Sequence, residues 1–225
     1  MAQMDYAGRA VLVFGAAGAL GAGLAAAFTQ AGASVTGADR HLPSQERLLD
    51  GVSYHPVDVL DDAALGTLFD TVPAPWAVIN TIGGFAPHTP LADLDPGELT
   101  GQLNLNLVSA ALVTKHALRR MRPAGAGRIV HTASRAAQVT RGQGFAYSVS
   151  KLGVLHLVAM AADEVRGTGN TVNCVVPSII DTPANRAAIP GADHASWPKI
   201  PDVARAYLFL AAPEAHLVSG AAIPV

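Results

Sequence analysis

From residue 10 the chain reads Ala10-Val11-Leu12-Val13-Phe14, then Gly15-Ala16-Ala17-Gly18-Ala19-Leu20-Gly21, then the helix-forming run Ala22 to Ala31. A short apolar, β-branched run bounded by glycine reads as a buried strand. A strand that passes through three glycines directly into a helix constrains the chain to open with a βα unit. Glycine serves two purposes in such a loop. It allows the tight turn, and it lets the backbone approach a pyrophosphate whose charge the helix N-terminus stabilises. The plainer alternative is a tight turn in an alanine-rich segment. The strand before the loop and the helix behind it favour dinucleotide binding, with Gly15, Gly18, Leu20 and Gly21 as candidate contacts.

Alternation continues along the chain. Strands are predicted at 34–38, 52–57, 76–81, 127–133, 171–176 and 221–225. Helices are predicted from Asp61, from about Pro96 to Met121, from Tyr147 to Arg166, and from Asp202 to Ala211. The segment 177–201 carries five prolines and reads as irregular. Strands alternating with helices imply parallel βαβ units with right-handed crossovers. The expected fold is a single α/β domain over residues 1–225, a Rossmann-type doubly wound parallel sheet with helices on both faces.

Composition narrows the partners. Of 225 residues half are apolar and 14% charged, with a net charge of −2, so there is no electrostatic footprint for nucleic acid or an anionic membrane. Apolar stretches such as Leu20 to Phe28 read as too short and glycine-broken to span a bilayer. Met1 to Asp5 shows no basic stretch leading into an apolar run. A soluble cytoplasmic domain acting on a small molecule is therefore expected. The single cysteine, Cys174, lies in an apolar run and reads as a buried small hydrophobe. Eight histidines show no metal-ligand spacing, and no metal site is expected. His88 and His194 are of interest because both fall in loops expected to border a substrate.

Polar residues recur where the predicted strands end. Asp39 closes the second strand, where a carboxylate can accept from the adenosine ribose hydroxyls and would repel a 2′-phosphate, favouring NAD(H). Arg40 keeps NADP(H) open, because a guanidinium there could hold that phosphate. Asp58 follows the third strand, placed either to contact adenine or to cap the next helix. Asn80 and Gly83 end the fourth strand, and Ser134 follows the fifth. Tyr147 and Lys151 are spaced i and i+4, so on a helix both project from one face, and an ammonium beside a phenol favours the phenolate. Asn106 lies inside the long helix, where asparagine is mildly unfavourable; Asn104 is the rival position.

With Asn106, Ser134, Tyr147 and Lys151 in this order on such a frame, the chain resembles the short-chain dehydrogenase/reductase family over essentially its whole length. The glycine loop, the Asn80-to-Gly83 turn and Pro177-Ser178-Ile179-Ile180-Asp181-Thr182 belong to the same resemblance. The resemblance implies that Tyr147 exchanges a proton with the substrate oxygen. It implies that Lys151 holds the nicotinamide ribose and lowers the tyrosine pKa, that Ser134 binds the substrate oxygen, and that Asn106 anchors a water leading from Lys151. Pro177, Ile180 and Thr182 would flank the nicotinamide. The glycine spacing departs from the commoner family pattern, with Gly18 one place early and Ala19 where glycine is usual.

Within the family the chain looks most like the quinonoid dihydropteridine reductases. Shared features are Gly83-Gly84 before the aromatic Phe85, and Asp181-Thr182-Pro183 followed by Asn185-Arg186, Pro190, Ala192-Asp193 and Ser196-Trp197, in a stretch (183–198) expected to be a substrate lid. Ser134 and Asn106 depart from that group and suit a ketone or alcohol equally well. Phe85, Phe145 and Trp197 are candidates for an apolar platform under a flat ring. The resemblance further implies a homodimer or homotetramer through the Asn106 and Tyr147 helices. A non-catalytic NAD-binding sensor is the alternative from another class.

Overall fold

The computed structural model describes residues 4–85, 89–139 and 144–225. Its framework is a seven-stranded sheet in which every neighbouring pair is parallel. The strands are β1 (Ala10–Phe14), β2 (Ser34–Asp39), β3 (Val52–Pro56), β4 (Ala77–Asn80), β5 (Gly127–Thr132), β6 (Asn170–Val176) and β7 (Ala222–Pro224), in the order β3-β2-β1-β4-β5-β6-β7. The winding direction reverses between β1 and β4. At that point the connections leave in opposite directions and a crevice opens beyond the carboxyl ends of the strands.

Helices cover both faces. Alternate residues of β1 show why: Leu12 and Phe14 pack with α2 (Asp62–Thr71), α4 (Ser109–Met121) and α5 (Phe145–Glu164), while Val11 and Val13 pack with α1 (Ala19–Gln30) and α7 (Ile200–Ala211). Both faces of β1 and β4 are buried, so Ala10–Phe14 and Ala77–Ile79 read as apolar runs instead of alternating. The α5 helix has the length and composition to cross a membrane, contrary to the expectation that the apolar stretches are too short. It packs against β6 and carries Tyr147 and Lys151 into the crevice.

Three local features depart from the expected elements. The helix after the glycine loop starts at Ala19, three residues early, because Gly18 takes the extended N-cap conformation. The long helix is not uniform. After α3 (Pro96–Gln102) it passes through a π turn, Leu103–Val108, before α4. The proline-rich segment contains a further short helix, α6 (Pro183–Ala188), with Thr182 Oγ1 accepting from the Asn185 N–H and Pro183 in its first turn.

Candidate active site

The crevice has a nucleotide-shaped end and a reacting end. The first is a cavity of about 300 Å³ at the glycine loop, lined among others by Gly15, Gly18, Asp39, Arg40, Asp58 and Thr81. Gly15 has φ of 80°, and a Cβ there would lie 2.4 Å from Thr81 Oγ1. A Cβ at Gly21 would lie 2.1 Å from the Gly15 carbonyl oxygen. The loop is thus compacted to a degree only glycine permits. No side chain caps α1 and no acid stands in its first turn, so its orphan N–H groups are left for an anion. This cradle fits the pyrophosphate of a dinucleotide.

Around it the charged residues are already engaged. Asp39 Oδ2 accepts from the Ala17 N–H at 3.0 Å. Arg40 is paired with Asp58 at 2.9 Å, both half exposed. Asp58 does not cap the following helix. Its Oδ1 accepts from the Leu60 N–H, and the cap of α2 is Asp61, which accepts from Ala63 and Ala64. The Leu60 N–H, followed by Arg40, holds the Asp58 carboxyl below its usual range.

The reacting end is a second cavity, about 210 Å³, lined by Ser134, Tyr147, Lys151, Pro177, Ile180 and Asn185 among others. It shares Thr81 and Gly83 with the first, so the two lie side by side. Tyr147 and Lys151 come from the first two turns of α5, and Ser134 from the end of β5, where its Oγ accepts from the Ala136 N–H. Asn106 is buried at the π turn whereas Asn104 is exposed, which separates the two rivals. Its Oδ1 accepts from the Gly84 N–H at 3.1 Å, and its Nδ2 donates to the Gly84 carbonyl at 3.2 Å and to Ser150 Oγ at 3.0 Å. Ser150 Oγ in turn donates to the Tyr147 carbonyl at 2.7 Å. Asn106 therefore ties the strand-end turn to the first turn of α5. The spacing leaves no spare room: a Cβ at Gly83 would lie 2.6 Å from Asn106 Oδ1 and 2.8 Å from Lys151 Nζ.

Burial sets the electrostatics. Lys151 is 4% exposed, and desolvation pulls it from the ordinary 10.5 to about 8. Its Nζ donates to the Thr132 carbonyl at 2.9 Å. The Tyr147 phenol is pushed up by burial, with the Ser134 hydroxyl opposing the shift. The expected lowering of that phenol by Lys151 is thus overturned in this structure, because desolvation of the ring dominates. Cys174 is buried and burial pushes its thiol up to about 12, so it stays a protonated small hydrophobe.

Several expected contacts sit one layer back. Thr182 caps α6 and, like Leu20 and Gly21, does not line either cavity. Asn80 is buried, its Oδ1 accepting from the Ile82 N–H and its Nδ2 meeting His131 Nδ1 at 3.2 Å. Thr114 Oγ1 donates to the Ala110 carbonyl, so His131 Nε2 is the donor in their 2.8 Å contact and Nδ1 the acceptor from Asn80. Burial, followed by the nearby Lys151 charge, lowers His131 to about 4 and keeps that tautomer neutral. Phe85 stands edge-on to Tyr147 with centroids 5.2 Å apart, whereas Trp197 packs at a tilt against His194 instead, with centroids 4.6 Å apart. His88 lies outside the described residues. Thr81, in the turn expected at the end of the fourth strand, donates to the Phe14 carbonyl at 2.8 Å beside the glycine loop, a bond that depends on the β1–β4 register.

A glycine-cradled nucleotide site running into a Tyr, Lys and Ser cluster on a doubly wound sheet defines an NAD(P)-dependent oxidoreductase. Comparison with known proteins agrees. A family model described as Enoyl-(Acyl carrier protein) reductase matches residues 15–225. Cis-4-hydroxycyclohexanecarboxylate dehydrogenase of Sinomonas cyclohexanicum is 31% identical over 98% of this chain and 96% of its own. D-threitol dehydrogenase of Mycolicibacterium smegmatis is 31% identical over 95% and 90%. The crystal structure of a short-chain dehydrogenase/reductase from Burkholderia xenovorans superposes with a TM-score of 0.90 at 29% identity, covering 99% of this chain and 96% of that one. The chain belongs to the short-chain dehydrogenase/reductase family.

Proposed function

We propose that this enzyme interconverts a secondary alcohol and its carbonyl, or reduces a related imine-like carbon, with Tyr147 exchanging the proton. The observation that carries the reading is that Tyr147, Ser134 and Lys151 line one cavity that adjoins the glycine-loop cavity at Thr81 and Gly83. Bound NAD(P)(H) would supply or accept the hydride at that junction. Asp39 favours NAD(H), with Arg40 drawn aside by Asp58; NADP(H) is the alternative. Lys151 is placed for the nicotinamide ribose, and Pro177 and Ile180 for the nicotinamide. A phenol raised by burial is a protonated donor at neutral pH, the form that carbonyl reduction requires. Ser134 would hold the substrate oxygen beside it.

Residues 183–198 serve as the substrate lid in this reading, within one domain. The named relatives act on cyclic and acyclic alcohols, which supports the alcohol/carbonyl class. A quinonoid dihydropterin is the second substrate reading, favoured by Phe85 against Tyr147 and by the lid sequence. Exposed Val108, Val149, Leu152 and Met160 on the Asn106 and Tyr147 helices support a homodimer or homotetramer.

Replacing Tyr147 with Phe should lower kcat by about 10²- to 10⁴-fold while nucleotide binding persists. The assay follows NADH and NADPH oxidation over ketones, quinones and quinonoid dihydropterin. Wild-type turnover in the mutant would remove Tyr147 from the mechanism.

A further inference from the structure

His131 takes no part in the chemistry above and lines neither cavity, yet it lies fully buried near the end of β5, between Asn80 of β4 and Cys174 of β6 in the register. An imidazole sealed in a core needs a partner for each nitrogen. Here both have one. Nδ1 accepts from Asn80 Nδ2 at 3.2 Å, and Nε2 donates to Thr114 Oγ1 at 2.8 Å, whose own hydrogen goes to the Ala110 carbonyl at 2.8 Å. The bonds therefore run from α4, through β5, to Asn80 at the end of β4. There they reach the crevice. Asn80 Oδ1 accepts from the Ile82 N–H at 3.1 Å, and Ile82 and Gly83 line the glycine-loop cavity.

The turn held in this way has little freedom to move. Its backbone abuts the ammonium, since a Cβ at Gly83 would lie 2.8 Å from Lys151 Nζ. Asn106 holds the turn through Gly84, and Thr132 Oγ1 donates to the Asn80 carbonyl at 2.8 Å. The Asn80 amide has only His131 on its donor side among the described residues. Take that acceptor away, and a buried donor is left unpaired; the least costly remedy is for the amide to rotate, which releases Ile82. We propose that His131 is a positioning residue for the reaction: through Asn80 it fixes the Ile82–Gly83 turn against Lys151, without itself touching nucleotide or substrate. The proposal rests on the reading of this crevice as the site of hydride transfer.

The test compares wild type with His131→Leu, which fills the space without a nitrogen, and His131→Asn, whose Oδ1 takes the place of Nδ1 and keeps the acceptor for Asn80. Three quantities are read: kcat per folded molecule with NADH over the ketones, quinones and quinonoid dihydropterin above, the Kd of NADH, and hydrogen exchange at the Ile82 amide relative to Val78 in the body of β4. His131→Leu should lower kcat about 10- to 10²-fold, raise Kd about fivefold and speed Ile82 exchange about tenfold over Val78. His131→Asn should bring all three back to within about twofold of wild type. Should His131→Leu not fold, His131→Gln replaces it, because its longer amide reaches Thr114 and leaves Asn80 without the acceptor; the same losses are expected. Unchanged kcat in that variant overturns the proposal. So does an Asn variant as impaired as the Leu one, or equal speeding of Ile82 and Val78, since either makes His131 only a filler of the core. A wild type that turns over none of these compounds refutes the proposed chemistry. The Ile82 exchange and the Kd of NADH then uphold His131 if both shift in His131→Leu and return in His131→Asn, and overturn it otherwise.

Discussion

Two cations are buried at opposite edges of the same sheet, and their surroundings could hardly differ more. Arg128, at the start of β5, is 3% exposed and Lys151, beside its end, is 4% exposed; among the described residues neither pairs with a carboxylate. Arg128 donates to the carbonyls of Ala212, Gly127, Gly169 and Pro213, and its guanidinium lies 4.7 Å from the centre of the Trp76 ring, with Arg9 also over that ring at 4.2 Å. Lys151 makes one hydrogen bond among the described residues. A buried polar group with four of its five donors used is a structural fastening. One with donors to spare, facing a cavity, keeps them for something that enters. Equal burial therefore separates a staple from a site by how many of the donors are used.

Paired substitutions put this contrast at risk. Lys151→Met should cost about 10²-fold or more in kcat/KM, while Arg128→Met, measured per folded molecule, changes it little. Steady-state kinetics on both variants checks this, and a comparable loss in Arg128→Met would erase the distinction. Stability should show the reverse. Arg128→Met strands several buried carbonyls and is expected to cost about 3 kcal/mol, read by urea denaturation. The smallest effect is the most diagnostic. Lys151 has a folded pKa below its unfolded one, so at neutral pH the fold bears the burden of a charge it disfavours. Nucleotide-free Lys151→Met should then be more stable than wild type at pH 7 by about 2 kcal/mol. That is roughly 3 from the pKa displacement, less about 1 for the Thr132 carbonyl left unpaired. Between pH 8 and 10.5 the unfolded chain retains a proton that the folded chain has released, so wild type gains stability and the gap closes. A gap independent of pH would mean that Lys151 is as well satisfied as Arg128.

What could be read from the sequence follows from the range of the forces involved. The glycine loop was legible because a steric requirement acts within seven residues, and β1, β5 and α5 because buried strands and helices have local signatures. The helix α6 carried a local signature too, Thr182 followed by Pro183, but surrounding prolines masked it. Asp58 could be read as the cap of the next helix until the turn placed Asp61 on the first free amides of α2. The turn holding Thr81 was marked, but its bond to the Phe14 carbonyl gave no local sign, since it crosses a gap closed only by the folded sheet. Tyr147 illustrates a different limit. Its neighbour in sequence suggested a lowered pKa, but its state is set by desolvation from elements far along the chain.

The π turn at Leu103–Val108 adds something that residue identities do not convey. Such a turn accommodates one residue more than an α-helix would, so the site is written partly in a count. Removing a single residue there would restore regular winding while α3 and α4 kept roughly their relative orientation, because the turn absorbs the extra residue locally. The helices on either side could keep their packing, but Asn106, which lies within the turn, would shift away from Gly84 although no side chain at the site had been changed. In this region a deletion is a more severe edit than a substitution, and aligned residues can be compared between relatives only where the extra residue is retained.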